Sequence, residues 1–282
     1  MNYLITGATG DVGARVVEQL LHRRERPRIF VRDAEKARSR YRDRVEIFAG
    51  DLADPSTFRP ALEGVDGLFL VNTGPQIPLR DKAAAAAAKD AGVRHIVKLS
   101  SMDVEQELAI GAWHKRGEQA IRESGVPFTF VQPTGFMSNL LAWAHSIQAE
   151  GVVRSATGDG RRAFIHSDDI AAVSVAALTS ENYVGQSLPI TGPQALTFAQ
   201  ATEAIGFALG RPLVYRLISD NEARRRYAAT GASPEDVDAH GALWRAIREG
   251  RLAGVTDQVE RILGRKPITF EQWVRENIAA FQ

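Results

Sequence analysis

The stretch NYLITGATGDVG, residues 2–13, decides the fold class of this chain. Residues 2–6 predict a short apolar strand, and the spacing of the apolar residues over 16–21 predicts a helix directly after the turn. Glycines 7, 10 and 13 let the backbone approach a pyrophosphate closely, and the N–H groups of the first helical turn face the anion. An ordinary tight turn is the alternative. We predict that the phosphates of a dinucleotide are held by Gly7, Thr9, Gly10, Asp11, Val12 and Gly13.

The composition excludes several classes of protein. A chain of 282 residues with 44% hydrophobic and 24% charged residues is typical of a globular protein, and a net charge of +1 favours neither nucleic acid nor a membrane surface as partner. The absence of cysteine excludes disulfides and thiolate metal sites. The histidines lack metal-ligand spacing, so we predict no metal. We expect a cytoplasmic monomer or homodimer that acts on a small molecule.

Strand and helix patterns alternate through the first half of the chain. Strands are predicted over 2–6, 28–31, 45–48, 67–71, 95–99 and 128–131, and helices over 82–91 and 113–124. This order predicts an α/β fold with a Rossmann-type, doubly wound parallel sheet over residues 1–135. Residues 136–282 predict a smaller, mainly helical lobe on the substrate side, interleaved with the first domain. Its helices are predicted over 168–178, 198–209, 221–229, 242–248 and 270–280.

Residues that follow the strands are candidates for the cofactor site, because ligands of such sheets bind at the carboxyl ends of the strands. Arg32 follows the second strand, with Lys36 one helical turn further on. A guanidinium there suits the 2′-phosphate of NADP, whereas an acidic residue would hold the ribose of NAD. Asp33 leaves NAD possible, and both basic residues could be solvated charges. NADP is the preferred prediction.

The ends of strands three to five add further candidates for cofactor binding. Asp51 is a candidate acceptor for the adenine amino group, and Leu52 is a candidate to pack on the ring. Asp54 is expected to cap the helix that begins at Pro55. The other candidates in these loops are Asn72, Thr73, Gly74 and Ser100, with Ser101 as a catalytic candidate.

Several of these segments together resemble one family. The glycine spacing G-x-x-G-x-x-G resembles that of extended and atypical short-chain dehydrogenases. VRDAEKA (31–37), GDLAD (50–54), VNTG (71–74), AGVRHIVKLSS (91–101) and SGVPFTFVQPTGFMSN (124–139) are similar to the NmrA-like group of that family. RRAFIHSDDIA (161–171) and TFEQWVREN (269–277) fit the same pattern. The resemblance implies a Rossmann fold that binds NAD or NADP.

The chain lacks the usual acid of short-chain dehydrogenases. No Tyr-x-x-x-Lys pair occurs, and Ile110 and His114 stand at the two positions. The resemblance implies that His114 lies near the nicotinamide ribose, beside Ser100 or Ser101. A histidine there could hydrogen-bond a ribose hydroxyl or relay a proton near neutral pH. The alternative is a surface histidine that pairs with Glu118, four residues further along the helix.

The segment after strand six supplies candidates for the nicotinamide and for the substrate. Pro133, Thr134, Gly135 and Phe136 are expected to run along the nicotinamide. The substrate-side wall is predicted from Phe136, Met137, Trp143, Phe164 and His166. Core packing is the alternative for these apolar residues.

Two functions are compatible with these features. The first is an NAD(P)H-dependent reductase that transfers hydride to an electrophilic, apolar small molecule, such as a quinone, a dye-like cation or an imine. Such acceptors need little proton donation in the hydride step, so the missing tyrosine is tolerable. The second is a non-catalytic, NADP-binding redox sensor of the NmrA type. The apolar strand-end residues favour the reductase.

Overall fold

The computed structural model describes residues 1–106 and 108–282. Its strands are β1 (Tyr3–Thr6), β2 (Arg28–Val31), β3 (Glu46–Ala49), β4 (Gly67–Leu70), β5 (His95–Leu99), β6 (Phe128–Pro133), β7 (Val152–Ser155), β8 (Arg161–Arg162), β9 (Ser187–Ile190), β10 (Leu196–Thr197) and β11 (Val214–Leu217). Its α-helices are α1 (Asp11–His22), α2 (Ala34–Tyr41), α3 (Pro55–Phe58), α4 (Ile77–Asp90), α5 (Ala109–Ser124), α6 (Ala144–Glu150), α7 (Ser167–Leu178), α8 (Phe198–Leu209), α9 (Asp220–Ala228), α10 (Pro234–Arg248), α11 (Gln258–Leu263) and α12 (Phe270–Asn277). Short 3₁₀ helices cover Arg59–Leu62, Met102–Glu105, Met137–Trp143, Glu181–Tyr183 and Ile278–Phe281.

Seven strands form one parallel sheet in the order β3-β2-β1-β4-β5-β6-β9. This confirms the predicted α/β fold class. Every residue of β1 and β4 is buried, as expected for central strands that are covered on both faces. The chain runs outward from β1 to β2 and β3, and then returns to β4 on the opposite side of β1. The carboxyl ends of β1 and β4 therefore mark the switch point at which ligands of such sheets bind.

The chain forms two compact units, each made of several segments. The first comprises Met1–Ser101, Ala112–Gln132 and Ser167–Pro189, and it contains most of the sheet. The second comprises Met102–Gly111, Pro133–His166 and Ile190–Gln282. It contains two small strand pairs, β8 with β10 and β7 with β11. The division into domains at residues 135 and 136 stays a prediction.

Each unit has its own hydrophobic core. In the first unit the alanine-rich helix α4 buries Ala84, Ala85 and Ala88 against the sheet, because small side chains let a helix approach closely. In the second unit an aromatic cluster contains Phe270 and Trp273, whose ring centroids lie 5.5 Å apart. No helix of the described residues is both long and apolar enough to span a bilayer.

Three predicted helices begin several residues earlier in the structure than the apolar pattern indicated, and one of them is α5, which begins at Ala109 and not at residue 113. Helix α4 begins at Ile77, not at residue 82, since a proline is tolerated in its first turn. Helix α10 begins at Pro234, not at residue 242, because Ser233 caps it by accepting a hydrogen bond from the amide of Asp236. All three helices are present as predicted, but their predicted starts were wrong.

A buried ion pair joins α4 to the sheet. Lys98 Nζ on β5 lies 2.6 Å from Asp81 Oδ2 on α4, and both side chains are 0% exposed. Asp81 Oδ1 also accepts a hydrogen bond from Asn72 Nδ2 at 2.7 Å. Two buried charges of opposite sign stabilise each other, but removing one leaves the other without compensation.

We expect Lys98→Met to lower the free energy of unfolding by about 3–5 kcal/mol, because Asp81 loses its counter-charge. The double variant Lys98→Met/Asp81→Leu should recover more than half of that loss. The control is Arg59→Met, which breaks an exposed pair with Asp90 whose side chains are 66% and 64% exposed and should leave stability almost unchanged. Denaturant unfolding measures all three variants. A double variant no more stable than Lys98→Met would contradict this reasoning.

Candidate functional site

The glycine turn between β1 and α1 has the close packing that a phosphate site needs. Gly7 has a φ of +64°, and the amide of Gly10 donates to the Gly7 carbonyl at 2.9 Å. A Cβ atom at Gly13 would lie 2.2 Å from the same carbonyl oxygen. Only glycine therefore lets the first turn of α1 pack directly on the turn that follows β1.

Backbone groups are the main anion ligands that this turn offers. Gly10 is the N-cap residue of α1, and it has no side chain to cap the helix. Asp11 Oδ2 accepts a hydrogen bond from Ser167 Oγ at 2.6 Å, so the protein itself engages this carboxylate. Val12 is buried and Thr9 is half-buried. A bound pyrophosphate would thus face backbone N–H groups, with the positive end of the helix dipole behind them.

Tyr41, which belongs to none of the motifs in the sequence, supports the glycine turn. Its ring is fully buried at the end of α2, and its hydroxyl donates to the carbonyl oxygen of Ala8 at 2.5 Å. The two residues are 33 positions apart, so no periodic pattern reveals this contact. The sequence signal for burial of Tyr41 is its spacing of four residues from Ala37, and the structure shows that both form the buried face of α2. The bond ties α2 to the turn that would hold the phosphates.

The loop after β2 presents two unpaired cations. Arg32 and Lys36 are exposed, and within the described residues their side chains form no hydrogen bond or ion pair. Asp33 is the N-cap of α2, and its Oδ1 accepts from the Lys36 amide at 2.9 Å. The carboxylate that left NAD possible is therefore engaged in capping the helix. The two cations are available to a phosphate group.

The loop after β3 is organised by its own carboxylates. Asp51 Oδ1 accepts from the amide of Ala53 at 2.9 Å. Asp54 caps α3 by accepting from the amide of Ser56 at 3.0 Å, as expected from the sequence. Leu52 is half-buried and packs against the core of the first unit. The structure thus gives Asp51 and Leu52 local roles beside the predicted contacts with adenine, which stay predictions.

The end of β4 lies beside the glycine turn. A Cβ at Gly7 would be 3.2 Å from Val71 Cβ, so the residues after β4 begin next to the predicted phosphate site. Asn72 is buried and bound to Asp81, whereas Thr73 is exposed. Gly74 has a φ of +77°, which explains glycine at that position.

His114 is buried on α5 and lacks a partner at one ring nitrogen. Its Nδ1 is buried and forms no hydrogen bond with the described residues. Burial lowers the pKa of His114 well below its usual value of 6.5, and the positive charge of Lys98 lowers it further. The imidazole is therefore neutral at physiological pH. Neutral imidazole can accept or donate a hydrogen bond, but the proton relay near neutral pH suggested by the sequence is disfavoured.

Glu118 is bound by two residues at the ends of β5 and β6. Its Oε1 accepts from Ser100 Oγ at 2.5 Å and from Gln132 Nε2 at 2.8 Å. Burial raises the pKa of the Glu118 carboxyl, and these hydrogen bonds oppose the rise. The alternative interpretation, a surface histidine that pairs with Glu118, does not fit this arrangement, because His114 is buried and Glu118 instead holds Ser100 in a buried network. Ser101 is also buried.

The candidates after β6 lie in the second unit. Pro133 ends β6 and is buried, as is Thr134. A Cβ at Gly135 would lie 2.5 Å from Arg162 Nε, so glycine lets the chain pass close to this buried guanidinium. Phe136 is half-buried, and its backbone pairs with that of Ile165 in an isolated parallel β-bridge. Phe136 thus keeps part of its ring surface accessible.

The five candidates for substrate contact differ in how much of their surface is exposed. Met137 and Phe164 are buried in the aromatic cluster of the second unit. His166 is also buried, and its Nε2 lies 3.1 Å from Glu276. Trp143 is half-buried, like Phe136. Phe136 and Trp143 are thus partly exposed, but Trp143 also packs against the aromatic cluster, with its ring centroid 5.6 Å from that of Phe198.

These features fit a bound dinucleotide. Any Cβ at Gly13 would fill the turn. Among the described residues, the two cations after β2 and one buried imidazole nitrogen on α5 have no partner. Within the described residues, no group of three or more metal-ligating side chains could hold a metal ion.

Comparison with known proteins agrees with this geometry. The sequence model of a family described as NAD(P)H-binding matches residues 7–181. An NAD(P)H azoreductase of Xenophilus azovorans is 38% identical over 99% of this chain and 98% of its own length. The (4-alkanoyl-5-oxo-2,5-dihydrofuran-3-yl)methyl phosphate reductase of Streptomyces griseus is 40% identical over the same shares. The quinone oxidoreductase QOR2 of Escherichia coli, solved with NADPH, has the same fold, with a TM-score of 0.88, 23% identity and coverage of 98% of this chain and 99% of its own.

We expect Gly13→Ala to weaken NADPH binding at least about tenfold, because the new Cβ would displace the Gly7 carbonyl and with it the phosphate-binding turn. Gly254→Ala is the matched control, since no atom lies within 4 Å of a Cβ built there. Fluorescence titration with NADPH measures both, and circular dichroism verifies that both are folded. A folded Gly13→Ala variant with unchanged affinity would refute the assigned turn.

Proposed function

The chain belongs to the NAD(P)H-binding family, and on that premise we propose that it transfers hydride from NADPH to an electrophilic, apolar small molecule such as a quinone, a dye-like cation or an imine. The family, the bound NAD(P)H and an oxidoreductase activity were predicted from the sequence and are confirmed by the comparisons. We also propose the class of acceptor and the preference for NADPH over NADH.

The state of His114 is the observation on which the proposed acceptor class depends. His114 stands where a short-chain dehydrogenase has lysine, Ile110 stands where it has tyrosine, and burial lowers the pKa so that the imidazole is neutral. These two positions therefore supply neither the phenol nor the cationic lysine of a short-chain dehydrogenase. Acceptors that are already cationic or strongly electrophilic need no such donor during hydride transfer.

The names of the two relatives support this class of acceptor. An azoreductase acts on a nitrogen–nitrogen double bond, and the name of the second relative describes a ring alkene conjugated to a carbonyl group. Both are conjugated, electrophilic double bonds. When bound, NADPH supplies the hydride, and the chain's own work is to orient the two reactants and exclude water. Neutral His114 can hold a ribose hydroxyl by a hydrogen bond. Phe136 and Trp143, which are half-buried, stay candidates for contact with the acceptor.

Unpaired cations after β2 support NADPH as the preferred cofactor. Arg32 and Lys36 have no partner within the described residues, while Asp33 is engaged as a helix cap. A 2′-phosphate offers these cations charge-assisted hydrogen bonds that a ribose hydroxyl cannot match.

We expect NADPH to bind more tightly than NADH, and Arg32→Ser to remove most of the difference. Losing one charge-assisted contact costs roughly 1.5–3 kcal/mol, which is on the order of tenfold or more in affinity. Lys89→Ser, which removes an exposed cation at the end of α4, is the control and should keep the wild-type ratio. Calorimetric titration of each protein with NADPH and with NADH measures the ratio of the two affinities. Equal affinities in the wild-type protein would rule out the NADP assignment.

Turnover of a cationic triarylmethane dye with NADPH tests the proposed reaction. Because the pKa of His114 lies well below 6.5, its imidazole stays neutral, and we expect a rate that does not fall between about pH 8 and about pH 6. His114→Ala should lower kcat about tenfold, because the bound nicotinamide loses part of its fixed orientation. His145 is exposed, and His145→Ala should leave kcat unchanged. Absorbance of the dye reports the rate. Binding of NADPH without reduction of dyes, quinones or imines would instead favour the redox sensor.

A further inference from the structure

We propose that Asp81 is a positioning residue that fixes the amide of Asn72, so that Asn72 presents a hydrogen-bond acceptor to the nicotinamide half of the bound cofactor. This inference rests on the proposed function, because it concerns the same site. It assigns a role to a buried ion pair that no part of the proposed reaction uses.

The orientation of the Asn72 amide follows from its partner. Asn72 Nδ2 lies 2.7 Å from Asp81 Oδ1. A carboxylate only accepts hydrogen bonds, so the NH₂ group of Asn72 must face Asp81. The carbonyl oxygen Oδ1 of Asn72 then points away from Asp81, and no residue in the described part of the chain donates to it. Asn72 is 7% exposed, and this carbonyl oxygen is not fully buried. Asn72 thus offers an accessible acceptor.

Asp81 is itself held from two sides. Lys98 Nζ lies 2.6 Å from its second oxygen, Oδ2. A Cβ built at Gly117 on α5 would lie 2.1 Å from the same Oδ2, so glycine is what lets α5 pass over the carboxylate. A fully buried carboxylate fixed by a counter-charge and by packing has little freedom to turn. The fixed carboxylate of Asp81 therefore also fixes the orientation of the Asn72 amide that is bound to it.

The strand order places Asn72 on the nicotinamide side of the pyrophosphate. The predicted phosphate site follows β1, and Arg32 follows β2, on one side of it. Asn72 follows β4, which is the neighbour of β1 on the opposite side. A dinucleotide that lies across these strand ends with its 2′-phosphate at Arg32 has its nicotinamide half at β4 and β5. The hydrogen-bond donors of that half are the carboxamide NH₂ and the ribose hydroxyls.

Two ligands separate this role from a general effect on the fold. NADPH contains both halves of the cofactor, whereas adenosine 2′,5′-bisphosphate contains only the adenosine half. We expect Asn72→Ala, which keeps the ion pair of Asp81 and Lys98 intact, to weaken NADPH binding about tenfold and to leave binding of the bisphosphate unchanged. Asn221→Ala on an exposed helix start is the matched control and should change neither affinity.

An exchange of the two residues tests the orienting role of Asp81. In the double variant Asn72→Asp/Asp81→Asn, the amide introduced at position 81 can donate to the carboxylate introduced at position 72. The second oxygen of that carboxylate again presents an acceptor, and the total charge is conserved. We expect this double variant to bind NADPH within about threefold of wild type. Asp81→Asn alone leaves Lys98 unpaired and is expected to be unstable, so the double variant and Asn72→Ala carry the test.

Titrations of both ligands, with thermal unfolding of each variant, separate the outcomes. Selective loss of NADPH affinity in Asn72→Ala, with recovery in the double variant, supports the proposal. Unchanged NADPH affinity in Asn72→Ala, or parallel loss of both ligands, overturns it, as does a folded double variant as weak as Asn72→Ala. If the wild-type protein binds NADPH and Asn72→Ala binds it equally tightly, the inference fails alone. If the wild-type protein binds neither ligand, the proposed function fails and the inference with it.

Discussion

The close packing of α1 on the glycine turn is the constraint on which the rest of the site depends. A side chain at Gly13 would collide with the Gly7 carbonyl, and Gly7 itself needs a positive φ. With this turn formed, the N–H groups at the start of α1 lie at the carboxyl end of β1, beside the end of β4. Tyr41 fixes the same turn from α2, because its buried hydroxyl binds the carbonyl of Ala8. The predicted phosphate site is thus set by backbone geometry.

Buried polar groups then shape the strand ends on the other side of β1. Asp81 and Lys98 form a fully buried pair, and Ser100 and Gln132 both bind Glu118. Such groups cost free energy to bury unless they are paired. Their pairing orders the ends of β4, β5 and β6. The same region holds a neutral His114, which suits a reductase that moves a hydride without a strong acid.

The sequence predicts features that depend on local pattern. The glycine turn, the alternation of strands and helices along the chain and the cap at Asp54 each depend on residues that are close together in the sequence. Contacts between residues far apart in the chain could not be predicted this way. Tyr41 and Ala8 are 33 residues apart, and no periodic pattern pairs Asp81 with Lys98. The neutral state of His114 was missed for the same reason, since it depends on burial and on Lys98.

The central claim is that hydride passes directly from the cofactor to carbon in a cationic acceptor. The most direct measurement is mass spectrometry of the reduced triarylmethane dye after turnover with NADPH deuterated at C4, using each of the two C4 isomers in ordinary water. We expect that one isomer delivers its deuterium to the central carbon of the dye and that the other does not. A reduced dye without deuterium from either isomer would contradict direct hydride transfer.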